Sequence, residues 1–105
     1  MQKELVFPKY GTIYEVRGGP DIKSLSEAYL QPGKTAVFTL YGIVGGEVKT
    51  HEVEVQLNEL RPFDPQRNIF YVSGSVVTPD GMDMRISIQR YNAGTGNGSG
   101  AGIFQ

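Results

Sequence analysis

Ala36-Val37-Phe38-Thr39-Leu40-Tyr41-Gly42-Ile43-Val44, then Gly45-Gly46, then Glu47-Val48-Lys49-Thr50-His51-Glu52-Val53-Glu54-Val55-Gln56-Leu57 is the stretch that decides the fold. Successive side chains of a strand point to opposite faces, and a Gly-Gly dipeptide accepts the positive φ angles of a two-residue hairpin turn. Folding the chain at Gly45-Gly46 pairs Val44 with Glu47, Leu40 with His51, Phe38 with Val53 and Ala36 with Val55. One face then collects Ala36, Phe38, Leu40, Val53, Val55 and Leu57, and the other Val37, Thr39, Tyr41, Thr50, Glu52 and Glu54. A slip of one residue would turn the apolar set out to water, so the pattern itself fixes this register.

Downstream, Thr78-Pro79-Asp80-Gly81 reads as a second turn, with proline presetting φ and glycine taking the left-handed position. Pairing outward from it sets Val76 by Met84, Val72 by Ile88 and Phe70 by Arg90, with Ile86 facing Gly74, on an apolar face. The opposite face carries Val77/Asp83, Ser75/Arg85, Ser73/Ser87, Tyr71/Gln89 and Ile69/Tyr91, and is expected to be half exposed. Between the hairpins, Arg61 to Arg67 contains Pro62 and Pro65 and reads as a loop.

Upstream, Leu5 to Phe7 and Thr12 to Arg17 read as shorter strands. Asp21 to Leu30 is the one helical stretch, with Ile22, Leu25, Tyr29 and Leu30 on one stripe. Ser24 to Glu27 fits a capping box if the helix starts late, and Pro32-Gly33 ends it. The expected order is β-β-α-β-β-β-β: an α+β, mainly β fold, with about six antiparallel strands in a curled sheet or partly open barrel and one short helix. Residues 1–92 are read as a single β-rich domain and 93–105 as a glycine-rich C-terminal tail.

Composition narrows the chemistry. The chain has 105 residues, ten Lys plus Arg against eleven Asp plus Glu, and no cysteine, which removes disulfides, thiolate metal sites and cysteine nucleophiles. His51 is the single histidine, so no two-histidine metal site exists; it is expected on the core face opposite Leu40. Glu52 and Glu54 share the other face, and no acid–base constellation stands out. No cofactor and no metal is expected. The longest apolar runs, such as Ile69 to Val72, are four residues, far short of a membrane span. The first residues lack the apolar core of a signal peptide, so the expected location is cytoplasmic, with no membrane partner.

Two glycine-containing motifs imitate nucleotide loops. Ala28 to Thr35 matches a relaxed phosphate-loop pattern, but the required strand–loop–helix order is reversed, and a helix stop before a strand is the simpler reading. Gly96-x-Gly98-x-x-Ala101 matches a loose dinucleotide fingerprint with only four residues after it, too few for the helix and strand that fold requires. Asn97-Gly98-Ser99 is formally a glycosylation sequon, idle without secretion. The tail reads as a flexible linker with an apolar end, Ile103-Phe104, that something must hold if it is ordered.

The function expected from these residues is a non-enzymatic protein-interaction or self-assembly module. Its contact residues are the hairpin tip Ile43, Val44 and Val48, the aromatic face Ile69, Tyr71 and Tyr91, and the tail Ile103 and Phe104. The partner is another protein or a second copy in a homo-oligomer. The hairpin either projects as an arm or bends at Gly42 and packs its own tip. The first alternative is a barrel-like nucleic-acid binder using Tyr71, Tyr91, Arg85 and Arg90, which a net charge of −1 disfavours. The second is a small enzyme with a pocket near His51 and Tyr41.

Overall fold

In the computed structural model, which describes residues 8–79, 81 and 83–105, the long hairpin forms in the expected register. Strand β2 (Ala36–Val44) pairs with β3 (Glu47–Asp64) from Ala36↔Val55 to Val44↔Glu47. Gly45 and Gly46 turn between them at φ of 60° and 82°. Around this hairpin stand β1 (Ile13–Arg17), α1 (Ile22–Leu30), β4 (Ile69–Val76), β5 (Arg85–Asn92) and β6 (Asn97–Phe104). The class is the expected one, mainly antiparallel β, with six strands and one α-helix among the described residues. The sheet is a closed barrel in the order β1-β2-β3-β4-β5-β6. The expected strand Leu5 to Phe7 lies outside the described residues.

Closure comes from the segment read as a tail. β6 pairs with β5 from Arg85↔Phe104 to Asn92↔Asn97 and with β1 from Ile13↔Gly102 to Arg17↔Asn97, so residues 93–105 are not a linker. Two small terms hold it: ladder bonds on both edges, and the inward side chains Ala101 and Ile103, both buried. Glu15 faces two β6 residues, Ser99 and Gly100, in a bulge that Gly100 accommodates at φ 69°. The closed barrel leaves no long edge at its seam.

Two further expectations are corrected. Arg61 to Asp64 is strand, the last turn of β3, and only Pro65–Arg67 forms a short 3-10 turn, closed by Asn68 at φ 58°. Pro62 is tolerated because β3 is paired with β2 only as far as Val55 and carries a single ladder, to β4, where the proline sits. The helix buries Leu25 and Ala28, while Ile22, Tyr29 and Leu30 are exposed. An element of nine residues laid on a barrel covers only a narrow i, i+3 stripe. It starts at Asp21, whose carboxylate accepts from the Ser24 N–H at 2.8 Å, rather than at the later capping box.

The interior is filled by side chains of every strand, among them Tyr14, Val16, Phe38, Leu40, Val55, Val72, Ile86, Ile88 and Tyr91. Tyr91 reaches the core because Tyr71 on β4 faces two β5 residues, Gln89 and Arg90, so the alternation flips between Ile88 and Tyr91. The regular pairing of Phe70 with Arg90 is thereby replaced by Phe70↔Tyr91. The Tyr91 ring stands edge-on to Phe38 at 5.3 Å, and its hydroxyl donates to the Pro20 carbonyl, tying the β1–α1 connection to the barrel. No helix among the described residues is long and apolar enough to cross a membrane.

Candidate functional site

The distribution of ladder bonds singles out the tip of the β2–β3 hairpin. β1 meets β2 at Glu15↔Tyr41 and Val16↔Leu40, and β4 joins β3 only from Val55 onward. One bond from the Val77 N–H to the Glu54 carbonyl extends that side slightly. Among the described residues, Gly42 to Val44 and Glu47 to Val53 therefore have no third strand beside them. Such an edge presents unpaired N–H and C=O groups to any extended chain.

Side chains on this ribbon are sorted by face. Ile43 and Val48 stand opposite each other and are 67% and 57% exposed. Ile13 of β1 shares a shallow cleft with Ile43, Tyr41 and Gly42. Val44 leans the other way and packs against the core. The tip thus carries one exposed apolar ridge, Ile43 and Val48, on one face while Val44 on the other packs against the core. Gly42 is needed for a different reason: a Cβ there would lie 2.6 Å from the Tyr14 ring.

Below the free edge lies a cleft of about 340 Å³ lined by Val37, Glu52, Val53, Glu54, Val77, Thr78 and Pro79. Val37 and Val77 give it half-exposed apolar walls. Glu54 accepts from the Thr35 hydroxyl at 2.6 Å, and neither Glu52 nor Glu54 has an ion-pair partner among the described residues. Glu47 is paired with Lys49 at 3.0 Å on the hairpin tip itself.

The other expected contact residues scatter. Tyr91 and Ile103 are buried in the core and are unavailable to a partner. Phe104, at the end of β6 opposite Arg85, is partly exposed, and Ile69 is half-buried between Asp64 and Asn92. Tyr71 remains on the outer wall, accepting from the Ser87 hydroxyl at 3.0 Å. The face Ile69/Tyr71/Tyr91 therefore does not exist as one surface, because the β5 bulge turns Tyr91 inward.

His51 is buried, edge-on to Tyr14 at 5.7 Å, with Nδ1 lacking a hydrogen-bond partner among the described residues. It lines neither of these clefts. Tyr41 lies on the opposite face of the hairpin, its ring 3.7 Å from the Arg17 guanidinium carbon, so the two do not share a pocket. No group of three or more metal-ligating side chains exists among the described residues. The sequence reading missed two features: the Glu52/Glu54 flank of β3, which has no ion-pair partner among the described residues, and a cluster of Arg61, Phe63 and Arg90 around Tyr71. The first follows from where β4 begins to pair, the second from bulges, and neither leaves a signal in period-two alternation. No protein-family model, curated protein or solved structure matches this chain.

Proposed function

We propose that this protein is an interaction module that takes an extended segment of a partner protein as an added strand on the free edge of β3, between Glu47 and Val53. The observation that carries the reading is the ladder itself: among the described residues, β3 has a partner strand on one side only over this stretch. Strand addition uses main-chain bonds for affinity and alternate side chains for selectivity. The partner segment alternates β-branched with basic residues, since it must lie against the half-exposed Val37 and Val77 while meeting the carboxylates of Glu52 and Glu54, which have no ion-pair partner among the described residues. The ridge of Ile43 and Val48 supplies an apolar anchor at the far end, where a monomer normally places charge.

The test is titration of isotope-labelled protein with an extended Lys–Val peptide and with its Glu–Val counterpart. Amide shifts and slowed hydrogen exchange at residues 47–53, with the basic peptide preferred, support the reading. Glu52→Lys with Glu54→Lys should reverse the preference, and Ile43→Ser with Val48→Ser should weaken both. Shifts elsewhere, or indifference to the charge reversal, sink it. Light scattering that shows a concentration-dependent dimer lost in the Ile43→Ser/Val48→Ser variant would mean that a second copy fills this edge, and the foreign-segment reading fails.

A further inference from the structure

On the wall of the barrel away from the hairpin tip, two bulges converge on Tyr71. Along β3 the pairs Pro62↔Phe70 and Asp64↔Ile69 leave Phe63 as an extra residue, and along β5 both Gln89 and Arg90 oppose Tyr71. Inward Ile86 and Ile88 would send Arg90 into the core by simple alternation; the bulge aims it outward instead. Burying an unpaired guanidinium would be prohibitive, but an ordinary sequence avoids that cost by not placing arginine there. Here the backbone is bent to present it.

The presented groups form two stacked pairs. The Arg90 guanidinium carbon lies 5.1 Å from the Phe63 ring centroid, and that of Arg61 lies 4.9 Å from the Tyr71 centroid. Both fall within cation–π range, which fixes a guanidinium plane while leaving N–H groups at its rim free. Arg61 spends its Nε on Glu59 at 2.6 Å, and Arg90 has no carboxylate partner among the described residues. The Tyr71 hydroxyl accepts from Ser87, which holds the ring in place on the outer wall. With Gln89 and Pro62 these side chains line a cleft of about 340 Å³. That is the lower end of the roughly 300–1,000 Å³ that small-ligand sites occupy.

We infer that this cleft binds a planar, phosphate-bearing ligand, the chemistry of a nucleotide, free or as one unit of a single strand. Arg90 and the terminal nitrogens of Arg61 take the phosphate, for which a guanidinium fork is the matching donor. Phe63 and Tyr71 offer apolar faces against which a base lies. The site is independent of the hairpin tip. Because the net charge of the chain is −1, binding rests on these local donors rather than on a general field.

Labelled protein titrated with inorganic phosphate, adenosine 5′-monophosphate and an octamer of deoxyadenosine tests the assignment. Shifts at residues 61, 63, 71, 89 and 90 are expected with the two nucleotide probes, at least tenfold tighter than with phosphate. Arg90→Gln should weaken the nucleotide probes about tenfold, and Phe63→Ala should weaken them more than it weakens phosphate, since it removes a face for the base as well as the ring beside Arg90. All these side chains are at the surface, so the variants keep the wild-type circular dichroism. An octamer tighter than the mononucleotide identifies a strand as the source, and equal affinity identifies the free nucleotide. The inference is overturned if neither probe shifts these residues at millimolar concentration. It is equally overturned if Arg90→Gln binds as wild type, if phosphate alone binds as well, or if the shifts map to residues 28–35.

Discussion

Ile103→Ala tests whether the glycine-rich C-terminus is structural. Ile103 is 2% exposed, sits opposite Ile86 on β5, and its carbonyl accepts from the Gly11 N–H at 2.9 Å. Truncating a buried isoleucine to alanine removes its transfer free energy and leaves a cavity, together about 2–5 kcal/mol. The interior is closely filled from every strand, so little collapse is available and we take about 3 kcal/mol. With a urea m-value of about 1–1.5 kcal/mol/M for a chain of this size, the midpoint should fall by roughly 2–3 M at unchanged m. The neighbouring Phe104→Ala removes a side chain that is 39% exposed and should cost clearly less. Equilibrium urea unfolding followed by circular dichroism reads both. A free tail would predict changes within about 0.5 kcal/mol for either variant, so a midpoint unmoved by Ile103→Ala refutes the closed barrel. Ending the chain at Asn92 removes β6 altogether and should abolish the cooperative transition.

Three other outcomes follow from single residues. Gly74→Ala drives a Cβ into the Gln56 carbonyl oxygen, a backbone atom that cannot step aside, so thermal unfolding should show a loss of about 1–3 kcal/mol or more. Tyr91→Phe leaves the Pro20 carbonyl without its donor and should cost about 1–3 kcal/mol in the same assay. Burial pushes the Tyr91 phenol well above its usual value of 10.0, so the neutral form is favoured in the fold. Its contribution is complete below pH 10 and is lost as the pH rises beyond, and the phenylalanine variant should lack that part of the alkaline decline. The Asp21 carboxyl is held below its usual 3.8 by the Ser24 N–H, so Asp21→Ala should destabilise at neutral pH. The gap from wild type should close as the pH falls below 3.8 and the carboxylate of the folded protein is protonated.

The β2–β3 register was legible because both of its faces are written in side chains: apolar residues at every second position and two glycines where positive φ is needed. The same holds for β4 and β5 from Ser75↔Arg85 to Val72↔Ile88. Beyond Ile88 the alternation misleads, since a bulge adds one residue without any distinctive residue type at Gln89 or Arg90. The apolar residues around the tight turn were legible, but whether the tip projects or bends at Gly42 was left open, and the free edge was not visible. Which stretch of an 18-residue strand lacks a neighbour depends on how far β4 is staggered along it. β6 was nearly silent, its inward residues being only Ala101 and Ile103 among glycines.

Local chemistry in the sequence thus determined the class of the fold, the hairpins, the helix and the absence of thiolate or multi-histidine chemistry, because turns, caps and period-two patterns act between near neighbours. Tertiary structure alone decided that the sheet closes, that Tyr91 and Ile103 are core, that Pro62 lies in a strand, and that Arg61, Phe63, Tyr71 and Arg90 meet. Each of those outcomes depends on stagger and bulges summed around a ring of six strands, a geometric condition that no single segment encodes.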